Sequence, residues 1–246
     1  MPARLSLNCD LGESFGAWTL GHDAAVMPLI DAANIACGFH AGDPSIIRET
    51  IDLAVKHGVE IGAHVSYPDL QGFGRRSMAI RGQSLVDLIH YQLAALEGLA
   101  RLQGADLRYV KPHGALYNDM AADLSLMAEV MHAVASWPTA LDFMTMATPQ
   151  HEAVRALARE HGLTLRLEAF ADRAYTDDGH LVPRHEPGAV LDADAAAHQA
   201  QAIAEGRLLS QRGTTLAVDA DTLCVHGDSP EALQTLQLIH AALRKS

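Results

Sequence analysis

The feature that most constrains this 246-residue chain is a repeated alternation of short apolar runs with helix-length segments. Runs at 5–10, 34–37, 59–63, 107–111, 141–146, 163–169 and 222–226 have strand length and carry mainly Leu, Ile, Val and Ala. Between them, apolar residues at helical spacing predict helices over 42–57, 85–102, 124–134, 151–161, 193–205 and 230–243. The punctuation agrees with this division. Asp43-Pro44 opens one helix, with proline near the start where its missing N–H costs nothing, and Gly58 and Gly104 stand where helices should stop. A smaller strand is predicted over 214–218. Residues 171–190 hold Asp, Gly and Pro with little periodicity, a long loop of the kind that carries function in a compact domain.

Strands that alternate with helices run parallel, and a parallel sheet either stays open or closes. An open doubly wound sheet normally carries a glycine-rich phosphate turn after its first strand. Here that turn is Leu11-Gly-Glu-Ser14, and neither GxGxxG nor GxxxxGK[ST] occurs. The expected fold is therefore α/β, a single (β/α) barrel of seven or eight units spanning residues 1–246, a length that such barrels routinely occupy.

Composition excludes several function classes. With 49% hydrophobic residues the chain can bury a core without disulfides, and its three cysteines, Cys9, Cys37 and Cys224, form no CxxC pair, which fits a reducing compartment. Eighteen basic against thirty acidic residues leave a net charge of −12, the wrong sign for neutralising a phosphate backbone, so nucleic acid is not an expected partner. No run of eighteen apolar residues occurs, and the opening Met1-Pro-Ala-Arg lacks the pattern of an export signal. A cytoplasmic location and no membrane partner are expected.

Fourteen histidines are the one excess, and several fall where strands end. Asn8, Asp10 and Glu13 close the first strand; His40 and Asp43 follow the second; His64, Ser66 and Asp69 follow the third. Lys111, His113, Tyr117 and Asn118 close the fourth, Glu168, Asp172 and Arg173 follow the sixth, and His226 and Asp228 end the last. Barrel enzymes build their sites from the carboxyl ends of the strands, so this face is the expected active site. Asn8 and Asp10, two residues apart, share a strand face and point inward together, which turns Cys9 outward into packing. Cys37 and Cys224, in apolar runs, also read as core. Imidazoles on helices, such as His90 and His240, read as capping or solvated groups.

Two hydrolytic mechanisms fit these residue types. Asp10, His40 and His64 could hold a divalent metal that lowers the pKa of a bound water. Without metal, Asp10 could act as general base on water while Lys111 or a neutral histidine faces the developing oxyanion of an amide.

The motifs are specific enough to carry a resemblance. Leu7-Asn-Cys-Asp-Leu-Gly-Glu13, Asn34-Ile-Ala-Cys-Gly-Phe-His-Ala-Gly-Asp43, Gly62-Ala-His64, Gly72-Phe-Gly-Arg75, Val110-Lys-Pro-His-Gly-Ala-Leu-Tyr-Asn118, Phe170-Ala-Asp-Arg173 and Val225-His-Gly-Asp228 occur in order. Together they resemble the family of bacterial 5-oxoprolinase A subunits, also called the LamB/YcsF type. The likeness covers nearly the whole chain and is thinnest from about residue 207 to 220. It implies a barrel related to glycoside hydrolase and deacetylase barrels. It also implies an enzyme that opens 5-oxoproline to L-glutamate with ATP as co-substrate, in company with subunits B and C. Within that reading catalysis is expected of Asp10, His40, His64, Lys111 and His113. Substrate contacts are expected of Asn8, Glu13, Asn34, Asp43, Arg75, Tyr117, Asn118, Asp172, Arg173, His226 and Asp228. The competing expectations are a metal-dependent deacetylase acting on an acetylated sugar and a non-catalytic barrel that binds a small carboxylate.

Overall fold

Alternation along each strand sends one set of side chains into the barrel and the other against the helices. In the computed structural model, which describes residues 5–149, 151–183, 185–225 and 232–244, seven parallel strands form a closed barrel. They are β1 (Ser6–Leu11), β2 (Ala32–Ala36), β3 (Glu60–His64), β4 (Leu107–Val110), β5 (Asp142–Met146), β6 (Leu165–Phe170) and β9 (Thr222–Cys224), with β9 pairing to both β6 and β1. The remaining two strands, β7 (Arg207–Leu209) and β8 (Thr215–Ala217), pair antiparallel as a hairpin outside the barrel. The expected strand over 214–218 is thus real but does not add an eighth stave.

Around the barrel run α1 (Asp23–Val26), α2 (Pro44–His57), α3 (Gln83–Leu102), α4 (Gly114–Ala122), α5 (Leu124–Ala135), α6 (His151–Glu160), α7 (Ala193–Ala204) and α8 (Ala232–Arg244). Among the described residues no helix is long and apolar enough to cross a membrane. Asp43 caps α2 by accepting from the Ser45 and Ile46 amides, and Gly58 ends it in the left-handed region at φ 67°. Periodicity along the chain does not reveal α4, because Pro112 and Gly114 look like breakers. Pro112 does end the strand, but Gly114 takes φ 56° and starts a helix whose second residue, Ala115, donates to the Gly74 carbonyl at 2.8 Å.

Outward-facing Leu7, Leu11, Ile35, Ile61 and Phe143 join one continuous core with Ile51, Leu93, Val130 and Leu236 from the helices. Each such side chain contributes about 1.5–3 kcal/mol by its removal from water. The barrel interior is different, since Asn8, Asn34, Glu168 and Thr222 are all essentially inaccessible inside it. Gly62 is required there: a Cβ would collide with the Tyr109 ring, which lies in the interior with Ala32 and Met144.

The amino-terminal end of the barrel is sealed by Arg166, which donates to Glu60 at 2.6 Å and to Asp142 at 2.8 Å and covers the Tyr109 ring at 5.0 Å. The carboxyl-terminal end opens into a cavity of about 620 Å³.

Candidate active site

The floor of this cavity is a hydrogen-bonded stack rising through the barrel. Tyr109 donates its hydroxyl to Asn34 Oδ1 at 2.6 Å, which orients the amide so that Asn34 Nδ2 donates to both Asn8 Oδ1 and Asp10 Oδ1 at 2.8 Å. Asn8 in turn donates to Thr222 Oγ1 at 3.0 Å. Neither Asn8 nor Asn34 lines the cavity; both are buried and bond beneath Asp10.

Lys111 enters from the opposite side of the barrel, one residue past β4. Its Nζ lies 2.8 Å from Asp10 Oδ1, 3.2 Å from Glu168 Oε2 and 3.2 Å from Cys224 Sγ. Burial by itself would strip the proton from this ammonium, but the Asp10 and Glu168 carboxylates outweigh burial and hold its pKa well above the ordinary lysine range. Glu168 is further fixed by the Tyr117 hydroxyl, which donates to Oε1 at 2.5 Å. Burial first, and then the charge of Glu168, push the Tyr117 phenol up, so it stays a donor. Glu168 belongs to the centre as fully as Asp10 does. Its sequence signal was a lone carboxylate inside a buried strand, on the same face as Phe170. Cys224 belongs to the apolar core, as expected, and because it follows Thr222 by two residues its Sγ also faces Lys111.

Above this layer three imidazoles converge. His40 stacks on His113 with centroids 3.8 Å apart and planes 8° from parallel, and His64 meets both edge-on. His64 Nε2 is 3.2 Å from Asp10 Oδ2 and 2.9 Å from His113 Nδ1, while Glu13 Oε1 is 3.0 Å from His40 Nε2. Burial and the neighbouring rings hold His40 and His113 well below the ordinary imidazole pKa, so both are neutral at neutral pH. The ligating atoms of Glu13, His40, His64 and His113 all lie within 4.8 Å of one another. This set differs from the expected Asp10, His40 and His64: Glu13 and His113 join, and Asp10 stands one layer below, facing Lys111. Gly74 is what lets the rings pack, since a Cβ there would lie 2.8 Å from His113 Cδ2 and 2.9 Å from His40 Cβ.

The cavity wall includes Arg75, Tyr117, Asn118 and Arg173 together with Asp10, Glu13, His64, Lys111 and His113. Arg173 also orders the loop after β6 by donating to the Ala189 and Val182 carbonyls at 3.2 and 2.6 Å. That loop brings His180 and Leu181 to the wall, which no periodicity foretold. Arg75 lies over the Phe73 ring at 5.0 Å. Asp43 does not line the cavity, because its carboxylate is spent on capping α2 and on the Gly16 amide at 2.8 Å. Asp172 is buried and likewise off the wall. His226 and Asp228 lie outside the described residues.

With this geometry in view, the comparisons with known proteins carry weight. A model of the LamB/YcsF family matches residues 5–246. The chain belongs to the LamB/YcsF family. It is 54% identical over 245 residues to a Pseudomonas fluorescens (strain Pf0-1) protein named as the A subunit of 5-oxoprolinase, covering 99% of this chain and 98% of that one. It is also similar to the lactam utilization protein of Thermus thermophilus, whose crystal structure matches with a TM-score of 0.91 at 40% identity, covering 98% of this chain and 96% of that one. A GH113 β-1,4-mannanase, at 11% identity and a TM-score of 0.53 with 100% of both chains covered, shares the barrel fold alone.

Proposed function

We propose that this chain is the A subunit of a 5-oxoprolinase, which opens the lactam of 5-oxo-L-proline to L-glutamate with hydrolysis of ATP, together with subunits B and C. The observation that carries this reading is the partly buried Asp10 carboxylate paired with the buried Lys111 ammonium, on the floor of a cavity roomy enough for a five-membered ring. The naming of a relative 54% identical over nearly the full length supports it.

In this reading Asp10 takes a proton from water as the oxygen adds to the lactam carbonyl carbon. The Lys111 ammonium faces the negative charge carried on the phosphorylated lactam oxygen, in a water-poor site where such charge stabilisation is strong. Collapse of the tetrahedral species breaks the carbon–nitrogen bond, and the nitrogen leaves with a proton as the amino group of glutamate. Arg75 and Arg173 on the cavity wall supply positive charge for the substrate carboxylate. A lactam is a poorly electrophilic amide, so transfer of the ATP γ-phosphoryl group to its oxygen, with release of ADP, precedes the addition of water; ring opening then leaves the acyl phosphate of glutamate, which a second water hydrolyses to glutamate and inorganic phosphate. In this reading subunits B and C carry out that transfer.

The test is glutamate release from 5-oxoproline and ATP, with this chain alone, subunits B and C alone, and all three together. Glutamate is expected only from the full mixture. Asp10→Asn should lower turnover roughly 10²–10⁴-fold, the usual contribution of a general base, while its melting temperature stays close to that of the parent. Equal glutamate from B and C without this chain would remove the catalytic role.

A further inference from the structure

The hydrogen bonds of the upper layer leave an imbalance that a shared cation resolves. The His64 Nδ1 atom lies 2.8 Å from the Lys111 carbonyl oxygen, and a carbonyl can only accept, so Nδ1 carries the proton and Nε2 is a lone pair. His113 Nε2 lies 2.8 Å from the Phe73 carbonyl, so by the same rule its Nδ1 is a lone pair. His40 Nδ1 lies 3.0 Å from Ser66 Oγ, whose single proton is given to the Tyr67 carbonyl at 2.9 Å. The hydroxyl therefore accepts from His40 Nδ1, and His40 Nε2 is the third lone pair.

These three lone pairs point at each other and at carboxylate oxygens. His64 Nε2 faces His113 Nδ1 at 2.9 Å, His40 Nε2 faces Glu13 Oε1 at 3.0 Å, and His113 Nδ1 stands 3.6 Å from the same oxygen. Acceptor against acceptor at hydrogen-bond distance is repulsive unless positive charge lies between them. Protons on His40 Nε2 and His113 Nδ1 would put imidazolium on two rings stacked 3.8 Å apart. A single ion shared by all four donors removes these three conflicts at once. With metal–nitrogen bonds of ~2.0 Å at the tetrahedral angle, donor–donor edges are about 3.3 Å; three of the six separations, 2.9, 3.0 and 3.6 Å, bracket that value, and all six lie within 4.8 Å.

We infer that Glu13 Oε1, His40 Nε2, His64 Nε2 and His113 Nδ1 form a binding site for one divalent transition metal ion of the zinc type. Three imidazoles select a borderline ion over Mg²⁺ or Ca²⁺, which prefer oxygen. The outer N–H bonds to Ser66, Lys111 and Phe73 are the partners that fix ring orientation in such sites. Glu13, His64 and His113 border the cavity, so a ligand there can reach the ion.

The full chain, stripped with chelator and dialysed against Zn²⁺, should retain one zinc per chain by elemental analysis. His40→Gln and Glu13→Gln should each weaken zinc binding by at least about 100-fold, the upper range for losing a supporting partner. Circular dichroism melts check that these variants fold. X-ray absorption on the zinc-loaded parent chain needs no variant and should show a shell of three imidazole nitrogens and carboxylate oxygen. Failure of the parent to retain zinc or cobalt would overturn the site. So would unit stoichiometry that survives both substitutions with unchanged affinity, which would assign the ion to surface imidazoles such as His132 and His161. Each of these readouts is independent of glutamate release, so a failed lactam assay and a failed metal assay are distinguishable.

Discussion

The two ends of the barrel solve the same problem in opposite ways. At the amino-terminal end, partly exposed Arg166 sits between Glu60 and Asp142, and each carboxylate finds a donor. At the carboxyl-terminal end, fully buried Lys111 sits between Asp10 and Glu168 in a similar acid–base–acid arrangement, but three imidazoles and Glu13 crowd directly above it. The first end is a plug, with charges matched and near solvent. The second keeps charge buried beside a cavity, at a cost in stability that a merely structural end would not carry.

Replacing the cation at each end tests this contrast most severely. Lys111→Met leaves two buried carboxylates without their cation and should cost about 3–5 kcal/mol, read as a large fall in the chemical denaturation midpoint. It should also abolish activity in the reconstituted mixture. A smaller loss is expected for Tyr117→Phe, which removes the hydrogen bond to Glu168: about 1.5–3 kcal/mol by the same measurement, the range for a bond to a charged group. Arg166→Met, at the screened end, should cost only about 1 kcal/mol or less and leave turnover unchanged. Equal losses at Lys111 and Arg166 would erase the distinction between the ends.

Acid should expose the same asymmetry. In the chelated chain, His40 and His113 refuse protons that the unfolded chain accepts below about pH 6.5, so unfolding takes up protons there. Stability contributed by these rings is therefore intact at neutral pH and falls as pH drops from that value toward their lower folded pKa. Melting temperature against pH should slope downward on the acid side, and the slope should flatten in His113→Gln. Lys111 has the opposite sign: its raised pKa gives stability that is present below about pH 10.4 and lost only above it.

Much of this molecule was legible along the chain. The strand and helix periods located all seven barrel strands to within a few residues, and Asp43-Pro44 with Gly58 marked the ends of α2 to within two residues. Strand-end placement singled out Asp10, His40, His64, Lys111 and His113, because a parallel barrel puts its carboxyl ends on one face. The pairing of Asn8 with Asp10 on one side of β1, and of Cys9 on the other, followed from the two-residue period alone.

Contact across the barrel was not legible. Which residues meet in the middle depends on the register at which seven strands close, and on the tilt that closure imposes, and neither is written in any one segment. That is why Cys224 turned out to face Lys111, why Glu168 shares the ammonium with Asp10, and why Glu13 and His113 rather than Asp10 complete the imidazole cluster. Local sequence determined the elements and the faces their side chains take, because periodicity is a property of a single strand or helix. Only the tertiary structure decided which acceptor each imidazole proton meets, and hence where the lone pairs converge, because those acceptors come from turns remote in sequence.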